Sequence, residues 1–140
     1  MLKENIVTLT DGGEQKRFKV RQMPASKAEK FLLKVISALG GGLDVKHLNS
    51  PEMLFGALVN APTDKVETIL DELLSNISRV HEGNIETQLT AENVDGFIEE
   101  LPTLLKLRGE ALKINNFFQG AEGKNFGNFS GDAVMIKRQS

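Results

Sequence analysis

His47 and His81 are the two histidines of this 140-residue chain, so they are where acid–base or metal chemistry would start. Neither has a second ligand four residues away and no His-Glu-x-x-His spacing occurs, so surface or capping roles suit them better. Two acidic pairs come next, Asp71-Glu72 and Glu99-Glu100. Adjacent residues of a helix point about 100° apart, so neither pair converges as a general acid–base dyad must. The glycines Gly40-Gly41-Gly42 follow a helical stretch instead of opening one, and Gly123-Lys124 runs into Asn125. Neither is the Gly-Lys-Ser/Thr cradle that holds phosphate at a helix N-terminus. There is no Gly-x-Ser-x-Gly elbow. The absence of cysteine removes thiol nucleophiles, disulfides and zinc–thiolate sites. The expectation is a non-enzyme with no cofactor and no metal.

Composition points the same way. Hydrophobic residues make up 40% of the chain and charged residues 26%, as in an ordinary globular protein. A single domain is expected at this length, since domains run to about 100–200 residues. No apolar run approaches the roughly 18 residues that cross a bilayer. Met1–Asn5 lacks the apolar core of a secretory signal, which makes the cytoplasm the expected location. The formal charge of -2 hides an imbalance. Residues 1–39 hold eight Lys/Arg against four Asp/Glu, whereas residues 40–118 hold six against thirteen.

The elements follow from periodicity. Ile6–Thr10 favours β structure, Asp11-Gly12-Gly13 is a turn signal, and Phe18 and Val20 alternate with Arg17, Lys19 and Arg21. A hairpin over about 5–23 with one basic, wet face is predicted, stopped by Pro24. Ser26 is the expected cap of a first helix, with Ala28, Phe31, Leu32, Val35, Ile36 and Leu39 on one stripe. Ser50 and Pro51 open a second, and Thr63 a third whose apolar face runs from Val66 through Leu70, Leu74 and Ile77 to Val80. Residues 82–89 read as a loop. Thr90 opens a fourth helical stretch through Val94, Phe97 and Leu101, which Pro102 should break or kink. The pattern resumes through Leu104, Leu105, Arg108, Ala111 and Leu112 to Phe117 and Phe118. Beyond lies a Gly/Asn/Phe segment. The expected fold is mainly α (α+β): an N-terminal β-hairpin followed by a bundle of four to five amphipathic helices. Residues 1–118 would form one domain and 119–140 a flexible C-terminal tail.

Two stretches carry a family resemblance. Phe18-Lys19-Val20-Arg21-Gln22-Met23-Pro24-Ala25-Ser26-Lys27-Ala28 resembles the strand-to-helix joint of tail assembly chaperones of long-tailed bacteriophages and prophages. Leu104 to Phe118 is similar to their late helix, in which a leucine–Arg–x–Glu stretch runs to an Asn-Phe ending. The likeness covers the layout from about 5 to 118, while residues 119–140 match no pattern of the family. It implies a non-enzymatic protein of the host bacterial cytoplasm, bound to the tape measure protein and to tail tube subunits, and absent from the finished virion.

Partner contacts are expected at Phe117, Phe118, Phe126 and Phe129, because aromatics can anchor an interface. Lys16, Lys19 and Arg21 are expected to meet acidic helices of a neighbouring copy, which would make the protein a homo-oligomer. Two other classes are weighed: a structural tail completion or connector subunit, and a small adaptor binding nucleic acid through the basic hairpin. A pI near 5.7 and the absence of Trp and Tyr make nucleic acid a poor fit.

Overall fold

Two glycines set the register of the first strands. The structure, a computed structural model, describes residues 1–40 and 51–115. In it β1 (Glu4–Asp11) and β2 (Glu14–Arg21) are joined by Gly12 and Gly13 alone, at φ +62° and +80°. A two-residue loop with both φ positive matches the right-handed twist of the strands it joins. It places Asp11 opposite Glu14, Leu9 opposite Lys16 and Val7 opposite Phe18.

The helices begin on prolines. Pro24 precedes α1 (Ala25–Ala38) and Pro62 precedes α3 (Thr63–Leu74), and each offers its carbonyl to the first turn. The expected caps Ser26 and Thr63 therefore lie inside their helices and make no capping bond. Between them α2 spans Pro51–Leu58, while Ser50 lies outside the described residues. Gly40 turns left-handed at φ +67° after the end of α1.

The largest departure from the periodicity lies at 75–88. The apolar spacing through Ile77 and Val80 predicts more of α3, but the helix stops at Leu74 and Ile77–Val80 forms β3. β2 has a free edge whose unpaired N–H and C=O groups need partners. Ile77 pairs with Val20 there, and the Arg21 N–H donates to the Asn76 carbonyl at 2.8 Å. The predicted loop over 82–89 holds a one-turn 3-10 helix (Glu82–Asn84) and β4 (Glu86–Gln88), which pairs with β3. The result is a four-stranded antiparallel sheet in the order β1-β2-β3-β4. An N-terminal hairpin followed by helices, and the α+β class, are as expected.

Thr90 and Asn93 cap each other reciprocally, the Thr90 N–H donating to Asn93 Oδ1 at 2.7 Å and the Asn93 N–H to Thr90 Oγ1 at 3.1 Å. The helix they start, α4, is only Val94–Phe97, and the chain is extended again at Ile98. α5 (Leu101–Asn115) then begins before Pro102, not after it. A proline in a first turn gives up an N–H that has no helical partner anyway.

The helices cover one face of the sheet, with α5 against β1 and β2 and also touching α2 and α3. Phe18, Val20 and Ile77 from the sheet meet Phe31, Val35, Ile69, Leu73 and Leu107 in one core. Of the stripe residues Phe31, Leu32, Val35, Ile36, Leu70 and Leu74, all expected in the core, Phe31, Val35 and Leu74 are fully buried, whereas Leu32, Ile36 and Leu70 are only half-buried.

One carboxylate closes this assembly. Asp11 is 0% exposed, and its Oδ2 accepts from Lys16 Nζ at 2.7 Å and from the Glu99 N–H at 2.8 Å. Its Oδ1 accepts from the Glu100 N–H at 2.9 Å. Lys16 also donates to the Phe97 carbonyl at 3.2 Å, and the Gly12 N–H donates to Glu100 Oε2 at 3.0 Å. A Cβ at Gly12 would stand 2.5 Å from the exposed Glu99 carboxylate, which can move aside, so it is the left-handed φ of +62° that favours glycine here. Burial by itself would raise the Asp11 carboxyl. The bonds from Lys16, the Glu99 N–H, the Thr103 side chain and the Glu100 N–H outweigh it and hold the group well below the ordinary carboxylate range. At the other end of α5, Asn115 accepts the Met23 N–H at 2.7 Å and returns its own Nδ2–H to the Ala111 carbonyl at 2.6 Å.

Asp11→Asn is expected to cost about 3–5 kcal/mol in urea unfolding, because Lys16 is left charged and buried. Adding Lys16→Met should recover part of that loss. A depressed folded pKa means that the wild-type contribution is complete above the unfolded value of about 3.9 and is lost as pH falls toward the folded value. The wild type should therefore lose stability below pH 4 at up to about 1.4 kcal/mol per pH unit through this group, a slope missing from Asp11→Asn. Asn115→Ala should cost about 1–3 kcal/mol by orphaning the Met23 N–H, whose hydrogen exchange should speed up.

Candidate functional site

α2, α3 and α5 do not close on one another completely. Leu54, Leu58, Ile69, Leu73 and Leu107 are buried, as the inner stripes of packed helices should be. The next residues round each helix are apolar too, and they line a surface groove of about 360 Å³. Phe55 and Val59 come from α2 and the residues just after it, Val66 and Leu70 from α3, and Leu105 and Arg108 from α5. Val59 is 76% exposed and Leu105 40% exposed. Single exposed aliphatics are common, but a run of them along a cleft marks a binding surface. The groove continues, through Phe55 and Leu105, into a second recess of about 450 Å³ bounded by Glu52, Gly109 and Lys113.

Arg108 is the polar residue of this groove. It is 9% exposed, and its Nε has no hydrogen-bond partner. No carboxylate among the described residues forms an ion pair with it. Burial lowers the guanidinium's pKa from its ordinary value, with the charge of Asp71 opposing that shift. Its α5 neighbours Leu104, Leu107, Ala111 and Leu112 are buried or half-buried, so the sequence does carry a signal, a cation set inside an apolar stripe. A third recess, between α1 and α3 around Leu33, has a charged rim of Lys34, Asp64 and Lys65 and no buried polar group of this kind.

The basic hairpin is arranged differently from its sequence pattern. Lys16 shares the inner face with Phe18 and Val20, two and four residues on, and is 6% exposed. Expected to meet a neighbouring copy, it pairs instead with Asp11 of its own chain. Lys19 and Arg21 do point outward, where they meet two carboxylates. Arg21 donates to Glu4 at 2.7 Å and to Glu86 at 2.8 Å, and Lys19 donates to Glu86 at 2.7 Å. The Arg21 bond lowers the Glu4 carboxyl, and bonds from Lys19 and Arg21 lower that of Glu86. Arg17 donates to the His81 carbonyl at 3.4 Å.

Phe117, Phe118, Phe126 and Phe129 lie outside the described residues, as does His47. His81 packs edge-on against Phe97, and its Nε2 lies 3.0 Å from Thr87 Oγ1. Glu99 and Glu100 hold the Asp11 junction through their backbone N–H groups. Among the described residues no three His, Asp or Glu side chains stand where they could hold a metal ion. No described helix is long and apolar enough to cross a membrane.

No curated protein and no solved structure matches the chain. A family model described as "Phage tail assembly chaperone protein, TAC" matches residues 12–129, from the β1–β2 turn to past the end of α5, so the likeness extends into 119–129, where no family pattern was expected. Well over half of the chain is covered, including both segments joined by the Met23–Asn115 bond, and the protein belongs to the phage tail assembly chaperone family.

Proposed function

We propose that this protein works without catalysis, binding the tape measure protein and tail tube subunits in the host cytoplasm while a phage tail is built, and leaving before the virion is complete. The observation that carries this reading is the open apolar groove between α2, α3 and α5, on a chain of the tail assembly chaperone family. Long helical proteins present apolar stripes that aggregate when nothing covers them. A groove between helices takes such a stripe by the helix-in-groove mode, in which residues three and four apart serve as anchors.

Many small copies are needed along one long chain, so the free protein or its complex is expected to contain several copies. The adaptor reading is weaker by comparison. Of the hairpin's basic residues, Lys16, Lys19 and Arg21 are already held by carboxylates, which leaves little charge for phosphates.

Co-expression with the long helical protein of the same tail cluster tests the proposal. A soluble complex with many copies of this protein per long chain, measured by light scattering, is the expected result. If the long protein stays insoluble and this one purifies alone, the proposal fails. Finding the chain in purified virions would instead make it a structural subunit.

A further inference from the structure

A buried cation without a partner is an expensive thing to keep in a folded protein. Moving a charge out of water is unfavourable by several kcal/mol unless a counter-charge and hydrogen bonds replace the water. The chain meets that requirement at Lys16, which has Asp11 and the Phe97 carbonyl. At Arg108, which is 9% exposed and lines the groove, Asp71 acts by charge without forming an ion pair, and Nε has no hydrogen-bond partner. A leucine or methionine at this position would fill the same stripe of α5 with no desolvation at all. What Arg108 adds at the lining of an apolar cleft is a guanidinium with an unpartnered Nε–H, a group whose planar N–H edge suits a carboxylate.

We infer that the α2–α3–α5 groove binds an amphipathic helix of the partner protein that carries an Asp or Glu among its apolar anchors, and that this carboxylate pairs with Arg108. The inference rests on the chaperone reading and names the chemistry its partner must have. The apolar walls, Phe55, Val59, Leu70 and Leu105, take side chains spaced three and four apart. Arg108 sets register, because an apolar stripe can slide by a turn whereas a buried ion pair forms at one position only. It also sets specificity: a helix without the carboxylate leaves the guanidinium unpaired in a site now closed to water.

Two experiments on the full-length chain decide this. The first titrates the protein with two synthetic 18-residue helical peptides, each with leucines at i, i+3 and i+7, one with Glu at i+4 and one with Gln there. The Glu peptide should bind at least ten-fold more tightly, and Arg108→Met should abolish the difference while leaving the melting midpoint unchanged or higher. Arg108→Lys should retain part of the preference. Equal binding of both peptides by the wild type, or a preference that survives Arg108→Met, would overturn the inference. The second places a photo-crosslinker at Val59 in the co-expressed complex. Crosslinks should map to partner segments that contain an acidic residue within an apolar stripe. Crosslinks confined to a second copy, or to residues 116–140 of the same chain, would overturn it. A complex that forms normally with Arg108→Met and shows no Val59 crosslink to the partner leaves the chaperone reading standing and removes this one. If the wild type forms no complex, the chaperone reading falls, and the peptide titration still decides the groove.

Discussion

The Asp11 carboxylate is the constraint on which the rest of the fold depends. Four groups converge on it: Lys16 from the next strand, the N–H groups of Glu99 and Glu100, and the side chain of Thr103. It fixes the inner face of the hairpin against the segment that leads into α5. It also explains why Val94–Leu101 is not one helix. The free N–H groups at a helix start need acceptors, and here those ahead of Leu101 find theirs on a strand 88 residues earlier. The chain is pulled straight at Ile98, and a new helix starts beyond it. The glycine that makes the turn sits beside the same junction, its left-handed φ of +62° letting its N–H donate to Glu100.

How much of this was legible in the sequence depends on the range of the interaction. The hairpin, α1, the start of α2 and the second half of α5 follow from turn chemistry and local apolar spacing, and the structure has them. β3 was hidden because Ile77 and Val80 are three apart, a helical spacing, and only the free edge of β2 decides otherwise. Lys16 was read for its charge as a contact to another copy, although its parity with Phe18 and Val20 puts it on the inner face. The charge imbalance was legible as a pattern and not as a contact. The basic N-terminal third folds against the acidic remainder of the same chain, Lys34 on Glu72 and both Lys19 and Arg21 on Glu86. No sequence distance separates that arrangement from pairing between copies, because Coulomb attraction depends on the fold's final geometry.

The groove was not legible, for the same reason. Leu105 and Arg108 were read only as part of the late helix's pattern, and the facing residues Phe55, Val59 and Leu70 come from two other helices and the residue after one of them. Their shared cleft exists only once α2 and α3 are docked on α5. An amphipathic stripe says that a helix is covered and never by what. Family resemblance supplied the role, and packing supplies the surface.

The position of the groove on α5 connects the two levels. That helix is held at its start by the Asp11 junction and at its end by the bond between Asn115 and Met23. Leu105, Arg108 and Gly109 lie between these two points, so the wall they form belongs to a helix anchored at both ends. Association is weakened by whatever must be ordered in the act of binding, and a wall set in advance removes part of that loss. Under the proposed function, in which many copies bind successive sites on one long chain and then leave, a modest groove repeated in many copies is an advantage. Affinity then comes from the number of linked contacts, and release needs only that they be broken one at a time.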